Sequence, residues 1–217
     1  MATLMDGNKY PIGIINLPQG IVFPNWDESI ATLLVRQNVR ELTDQVWDFV
    51  ENAPKKRTRR ILVRGNLGIG KSWWLWYLAR RCLRANRSVV FWSRAAGALY
   101  VFEHRGNGRY KSYSFGEVFF DPSGFPLLRD PQTWVLMDPI GHKVAREPPR
   151  VPATVVLASS PNKAHYQQFE KDVARSFWMG VWTVEELQAV RLHVAPTISE
   201  EMVNTRFEQF GGIIRFV

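Results

Sequence analysis

The sequence predicts an α/β fold in which a parallel sheet carries helices on both faces. Short, fully apolar runs alternate along the chain with segments whose apolar residues recur every three or four positions. Strands of a parallel sheet are buried on both faces, which is why they are apolar throughout. A glycine-rich segment, residues 65–72, also joins one apolar run directly to a helical segment.

Five apolar runs are the predicted strands of this sheet. They cover residues 61–63, 88–92, 134–138, 153–158 and 176–179. Aromatic and polar residues alternate on either side of residues 105–108. This pattern predicts a β-hairpin insertion over residues 98–115, at the edge of the sheet.

Five segments have the spacing of helices. They cover residues 39–50, 73–85 and 163–171, a segment that begins after Thr183, and residues 199–210. Thr183 and Glu186 have the spacing of a capping box, and Gly211-Gly212 is a typical helix end. We therefore divide the chain into an extended lead-in, an α/β core and a small helical lid. These regions are residues 1–30, 31–182 and 183–217.

Composition excludes several classes of protein. No run of about 20 apolar residues is present, so we predict no membrane partner. The amino-terminal segment has an acid where a signal peptide carries basic residues, and its apolar run is interrupted by Pro11 and Pro18. This segment therefore does not have the pattern of a secretory signal. Cys82 is the single cysteine, which forbids an internal disulfide and indicates a reducing, intracellular compartment.

The chain is basic, with a formal net charge of +8. Such a charge is typical of proteins that contact a nucleic acid or another polyanion, and equally of a solvated basic surface. Residues 55–60 concentrate five basic side chains. This run resembles a nuclear localisation signal or a nucleic-acid patch, and its alternative is a solvated loop before the first strand of the sheet.

Residues 65–73 carry the strongest functional pattern. Gly, four residues, Gly, Lys and Ser form a Walker A motif, in the required context between a strand and a helix. Glycines let successive backbone N–H groups turn toward a triphosphate, and the helix presents its positive end to the same group. ATP is the default nucleotide, because no Asn-Lys-x-Asp guanine-binding pattern is present. The predicted contacts are Gly65, Asn66, Leu67, Gly68, Ile69, Gly70, Lys71, Ser72 and Trp73.

Ser72 and Asp138 are the predicted ligands of Mg²⁺. The Ser72 hydroxyl follows the phosphate-binding lysine, Lys71, which would bridge the β- and γ-phosphates. Asp138 ends an apolar strand, which is the Walker B arrangement, and would hold the metal through water. An acid in a turn before Pro139 is the alternative for Asp138.

The predicted catalytic residues are Lys71, Asp138 and Ser159. Ser159 lies where ATPases of the additional-strand class place a polar sensor of the γ-phosphate, and Ser160 and Asn162 are alternatives. The glutamate that often follows the Walker B acid is missing, so binding is better supported than hydrolysis. The remaining candidates for orienting water are Glu103, Glu117, Asp121 and Asp130, and Arg215 is a candidate phosphate contact from the lid.

Several segments also resemble a known family. They are residues 33–36, the Walker loop, the strand ending in Asp138, and residues 154–163, 177–187 and 207–215. Their order resembles the P-loop NTPase domain shared by Crinkler effectors and the retrotransposon hot spot proteins of trypanosomes. The resemblance covers roughly residues 30–217. Ile214 departs from it, because the family tends to have proline there.

The resemblance implies an ATPase-like domain of the additional-strand class. It also implies a nuclear protein, or an effector that reaches the host nucleus. Family members usually continue beyond the Phe-Gly-Gly segment, which indicates an excised domain or a short member. The first functional hypothesis is Mg²⁺-dependent ATP hydrolysis. The others are a nucleotide switch or interaction module with little turnover, a small-molecule kinase, and direct nucleic-acid binding through the basic surface. The predicted partner is a nucleic acid or a nuclear protein.

Overall fold

The computed structural model of the protein describes most of the chain in eight stretches. These are residues 12–16, 32–52, 59–93, 97–116, 125–138, 151–163, 166–172 and 175–214. Two strands, β1 (Ile12–Asn16) and β2 (Thr32–Arg36), form a small antiparallel sheet of their own. The remaining described strands form one central sheet.

The central sheet has seven strands. They are β3 (Arg60–Arg64), β4 (Val89–Ser93), β5 (Ala98–His104), β6 (Tyr110–Phe115), β7 (Trp134–Met137), β8 (Thr154–Ser159) and β9 (Arg175–Trp178). Their lateral order is β6-β5-β4-β7-β8-β3-β9. The five strands from β4 to β9 in this order are parallel, whereas β5 and β6 are antiparallel. The predicted parallel sheet and its edge hairpin are therefore confirmed.

Five helices are described. They are α1 (Gln37–Glu51), α2 (Lys71–Arg84), α3 (Gln167–Lys171), α4 (Val184–Val194) and α5 (Glu200–Phe210). The capping box at the start of α4 is present, and Gly211 follows the last residue of α5 with a φ of 64°. Local sequence signals thus locate these helix ends correctly.

Two hydrophobic clusters cover the two faces of the central sheet. On the first face, which we call the α2 face, strand residues such as Val63 and Leu136 pack with residues of α1, α2, α4 and α5. On the opposite α3 face, Leu62 and Val135 pack with Phe169 of α3 and with Leu128 of a 3₁₀ turn, Pro126–Arg129. Helices lie on both faces as expected, although in the described residues most of them lie on the α2 face.

Two details differ from the expectations. The region predicted as an extended lead-in contains β1, whose partner β2 lies some twenty positions later in the sequence. Arg60, expected in a solvated basic loop, is buried in β3 with its guanidinium 4.3 Å from the ring centroid of Phe169 and 3.7 Å from Asp172. The solvated-loop interpretation is therefore wrong for Arg60, and residues 53–58 lie outside the described residues.

Within the described part of the chain, no helix has the length and apolar character needed to cross a bilayer.

Candidate functional site

The carboxyl ends of β3, β7, β8 and β9 meet at one edge of the sheet. The backbone ladder extends one residue past two of them: Asp138 N–H donates to Trp92 O over 3.0 Å, and Met179 N–H donates to Arg64 O over 2.8 Å. β3 lies between β8 and β9, and the chain leaves it through α2 toward the far strand β4. Ligands of open α/β sheets bind at such a switch in strand order, beyond the carboxyl ends.

The glycine-rich loop occupies this edge, between β3 and α2. The strand and the helix predicted on either side of it are both present. Gly68 and Gly70 have φ angles of 78° and 99°, in the left-handed region that favours glycine. Gly70 is also the residue from which α2 begins. The glycine spacing therefore matches the backbone turn that leads into the helix.

Gly65 is required for a different reason, the close approach of a neighbouring strand end. A Cβ atom at this position would lie 2.6 Å from Cδ1 of Ile69 and 2.9 Å from the carbonyl oxygen of Met179. Neither distance is compatible with a side chain. The loop therefore packs against the end of β9 with no room for a larger residue.

Lys71, the first residue of α2, folds back onto the loop. Its ammonium group donates to the carbonyl oxygens of Gly65, at 2.7 Å, and Asn66, at 2.6 Å. The left-handed turn at Gly70 places the start of the helix so that the side chain can reach these atoms. A positive charge is thereby held beside the backbone of the loop.

The amino end of α2 lacks the usual protein caps. The first helical bond there runs from Trp74 N–H to Gly70 O, and α2 has neither a side-chain cap nor an acid in its first turn. By contrast, α4 and α5 begin with the side-chain caps Thr183 and Ser199 and have acids in the first turn. Helix α1 also lacks both features. Among the five described helices, α2 alone combines an uncapped positive end with a glycine loop and a lysine.

Asp138 lies on the same face of the sheet as α2. Trp134 and Leu136 of β7 pack on the α2 face, and strand alternation assigns Asp138 to that face too. β7 is two strands from β3, a lateral separation of about 10 Å. Asp138 is half-buried. The structure thus brings Asp138 and the start of α2, which contains Ser72, to one side of the carboxyl edge.

Ser159 belongs to the other face. Val155 and Leu157 of β8 pack on the α3 face, and alternation assigns Ser159 to it as well. Ser159 is buried, and its hydroxyl donates to the carbonyl oxygen of Ser160 over 3.1 Å. Ser160 has the position that faces α2, and Asn162 is exposed. Among the three predicted sensors, the geometry therefore favours Ser160.

The candidates for orienting water are dispersed. Glu103 lies in β5 of the edge hairpin, where its carboxylate accepts a 2.7 Å bond from Arg105. Asp130 accepts a bond from the backbone N–H of Gln132 in an exposed turn. The other two candidates, Glu117 and Asp121, lie outside the described residues, as does Arg215, the candidate phosphate contact.

Three buried residues near the loop did not figure among the predicted site residues. The indole N–H of Trp182 donates to Ile69 O in the loop over 3.1 Å. Arg36, at the end of β2, stacks 4.5 Å from the ring centroid of Trp182 and pairs with Glu186 of α4. Burial lowers the pKa of Arg36, and the charge of Glu186 opposes this shift. Two of the family-like segments contain these residues, but neither segment indicates which side chain reaches the loop.

The described residues contain no group of three or more His, Cys, Asp or Glu side chains that could hold a metal ion by themselves.

The fold and this site together describe an α/β protein with a mostly parallel sheet and a glycine-rich loop at its carboxyl edge. The chain is similar to Crinkler effector proteins 15 and 16 of Phytophthora infestans, with 26% identity over 161 residues. The match covers 72% of this chain and 24% of each relative, so the chain spans about a quarter of their length. No family model and no solved structure matches. This level of similarity supports a distant relationship to Crinkler effectors.

Proposed function

We propose that this chain binds a nucleoside triphosphate, with ATP as the default, together with Mg²⁺ at the loop between β3 and α2. The observation that carries the proposal is the position of the Lys71 ammonium group. It donates to the carbonyls of Gly65 and Asn66, and Lys71 is itself the first residue at the uncapped end of α2. A triphosphate needs a concentrated set of donors, and here a lysine, a glycine backbone and a helix end converge.

The metal would be held by Ser72 and, through water, by Asp138. Mg²⁺ in nucleotide sites keeps several waters and uses one or two protein oxygens plus phosphate oxygens. Ser72 lies at the start of α2, and Asp138 lies on the face of the sheet that α2 covers, so both oxygens belong to one side of the carboxyl edge. When bound, the metal would neutralise phosphate charge.

The strand order supports placement in the additional-strand class of P-loop NTPases. β8 lies between the loop strand β3 and the Asp138 strand β7. A polar residue at the carboxyl end of β8 therefore lies between the glycine loop after β3 and Asp138 after β7. Ser160 has this position on the α2 face, so we assign the sensor role to Ser160 in preference to Ser159.

The second part of the proposal is that the chain hydrolyses the bound nucleotide slowly. The residue after Asp138 is proline, and the carboxylate of Glu103 is engaged by Arg105 in the edge hairpin. These two observations favour the alternative function, a nucleotide-dependent switch or interaction module with little turnover. Its partner would be a nucleic acid or a nuclear protein, consistent with the net charge of +8.

The similarity to two proteins named as effectors supports a role inside a host cell. We infer that the chain acts as a domain of a host-directed effector, or as a nuclear protein, and that the loop is its nucleotide site. Because the chain matches only about a quarter of each relative, an effector activity of the kind their names indicate is proposed for this chain and is not shown by the similarity.

The test measures Mg–ATP binding and phosphate release for the wild type and for Lys71→Ala. Lys111→Ala, an exposed lysine on β6, is the matched control. We expect Lys71→Ala alone to weaken binding by roughly 10–150-fold, the range for bonds between charged groups. Binding without phosphate release would favour the switch. Equal binding by wild type and Lys71→Ala, or no binding by either, would overturn the proposal.

A further inference from the structure

We propose that Trp182 is a positioning residue for the loop between β3 and α2, and that it links this loop to the turn that ends α5. The nucleotide part of this inference rests on the proposed function. The structural part does not, because it concerns contacts within the chain. Trp182 lies four residues after β9 and directly before the capping residue of α4.

The side chain of Trp182 holds the middle of the loop. Its indole N–H donates to Ile69 O over 3.1 Å, and both residues are buried, with Trp182 only 7% exposed. Ile69 lies between Gly68 and Gly70, which both have a positive φ. The bond therefore acts where the loop backbone changes direction.

This bond also orients a loop amide. A peptide unit is planar and trans, so the carbonyl of Ile69 and the N–H of Gly70 point in opposite directions. Since the carbonyl points at the indole of Trp182, the N–H of Gly70 must point away from it. Rotation of this peptide changes ψ of Ile69 and φ of Gly70, and glycine at position 70 accepts the new φ at little steric cost, so the bond to Trp182 is what fixes it. Trp182 thus fixes the direction of a donor in the proposed phosphate cradle.

The backbone of Trp182 contacts the end of the helical lid. Its N–H donates to Gly212 O over 2.9 Å. A Cβ atom at Gly212 would overlap the Trp182 carbonyl and lie 2.6 Å from its nitrogen, so the two backbones are in direct contact. One residue therefore touches the loop with its side chain and the turn after α5 with its main chain.

Arg36 keeps this residue in place. Its guanidinium donates to the carbonyl oxygens of Gly180, at 3.1 Å, and Val181, at 3.0 Å, and stacks on the Trp182 ring. The segment before α4 is thereby fixed to the end of β2. Because these contacts hold the intervening segment, a shift of the loop would be transmitted to the turn after α5.

The experiment compares Trp182→Phe with Trp74→Phe in the full chain. Both residues are buried tryptophans that donate one indole N–H, but the indole of Trp74 donates to Thr43 Oγ1 of α1 over 2.9 Å and not to an atom of the loop. Phenylalanine keeps an aromatic ring and removes the donor. Hydrogen exchange of residues 66–72 without nucleotide is the first readout, and the affinity for Mg–ATP is the second.

We expect Trp182→Phe to increase exchange in the loop and to weaken Mg–ATP binding about tenfold. Trp74→Phe is expected to lower the melting temperature to a similar extent, with loop exchange unchanged and affinity within about twofold. Nucleotide should also slow exchange at residues 211–214 in the wild type, and less so in Trp182→Phe.

Equal effects of the two variants on loop exchange would overturn the inference. So would nucleotide protection of residues 211–214 that is the same in Trp182→Phe as in the wild type. If the wild type binds no nucleotide, the proposed function fails, and the exchange measurement without nucleotide still decides whether Trp182 positions the loop.

Discussion

The guanidinium of Arg36 lies 3.4 Å from the carboxylate of Glu186, and both side chains are buried. The same carboxylate oxygen accepts the backbone N–H of Thr183 over 3.1 Å, as part of the capping box of α4. The pair therefore joins the end of β2 to the start of α4, beneath the segment that supports the glycine loop. Its burial makes it sensitive to the loss of either partner.

Arg36→Ala is expected to destabilise the protein strongly. The substitution leaves the buried carboxylate of Glu186 without its charged partner, which costs about 3–5 kcal/mol in the free energy of unfolding. Urea denaturation measures this value. Lys171→Ala, an exposed residue at the end of α3, should change it by no more than about 0.5 kcal/mol. Similar values for both variants would contradict the importance of the pair.

Asp138→Asn is expected to weaken metal binding selectively. If Asp138 holds Mg²⁺ through water, the variant should need about tenfold more Mg²⁺, or more, for half-maximal nucleotide binding. Binding of nucleotide without metal should be unchanged, since the lysine and the loop remain. Titration of Mg²⁺ at fixed nucleotide measures the effect. Asp130→Asn, in an exposed turn, is the control, and the same shift in both variants would exclude a metal role for Asp138.

Gly65→Ala is expected to disturb the loop. The added methyl group would collide with Ile69 and with the carbonyl of Met179, so the end of β9 or the loop must move. A cost of about 2 kcal/mol corresponds to a melting temperature lower by about 4–8 °C in a chain of this size. Gly116→Ala, where a Cβ meets no atom within 4 Å, should leave the melting temperature unchanged. A stable Gly65→Ala protein with full nucleotide affinity would count against the described packing.

Cys82 makes stability dependent on pH above neutrality. Burial raises the pKa of its thiol far above the ordinary value. In the unfolded chain the thiol ionises near pH 8.5, so above that pH the unfolded state binds fewer protons than the native state. The stabilisation is therefore complete below about pH 8.5 and is lost as pH rises, by up to about 1.4 kcal/mol per unit.

Urea denaturation between about pH 7 and pH 9.5 tests this dependence. The free energy of unfolding should fall more steeply above about pH 8.5 for the wild type than for Cys82→Ala. The upper limit avoids the ionisation of Tyr100, Tyr110 and Tyr113, whose pKa values are also raised by burial. Parallel curves for the two proteins would show that the thiol ionises equally in both states.

Much of the fold could be predicted because its signals are local. The five parallel strands are continuous apolar runs, and the hairpin at residues 98–115 is marked by alternation around a glycine-containing turn. The start of α4 is marked by Thr183 and Glu186, which bond to each other three residues apart. Such patterns depend on neighbouring positions alone, so the sequence is sufficient to read them.

The site was only partly predictable. The loop and Asp138 were assigned from their motifs, and the structure places them on one edge and one face of the sheet. Which side chain of the Ser159-Ser160 pair faces α2 depends on the strand alternation of β8, which a short apolar run does not reveal. Arg60 belongs to the basic run in the sequence, yet it is buried. Its guanidinium contacts Phe169 of α3 and Asp172, the residue after α3, and the sequence alone does not reveal these distant partners.

The sequence by itself determined the strand–loop–helix unit with its lysine, because glycine conformations and helix starts are decided within a few residues. The tertiary structure alone decided what supports that unit. Trp182 meets Ile69 across 113 positions, and Arg36 meets Glu186 across 150. Contacts between buried side chains at such separations depend on how elements pack, and no local pattern encodes them.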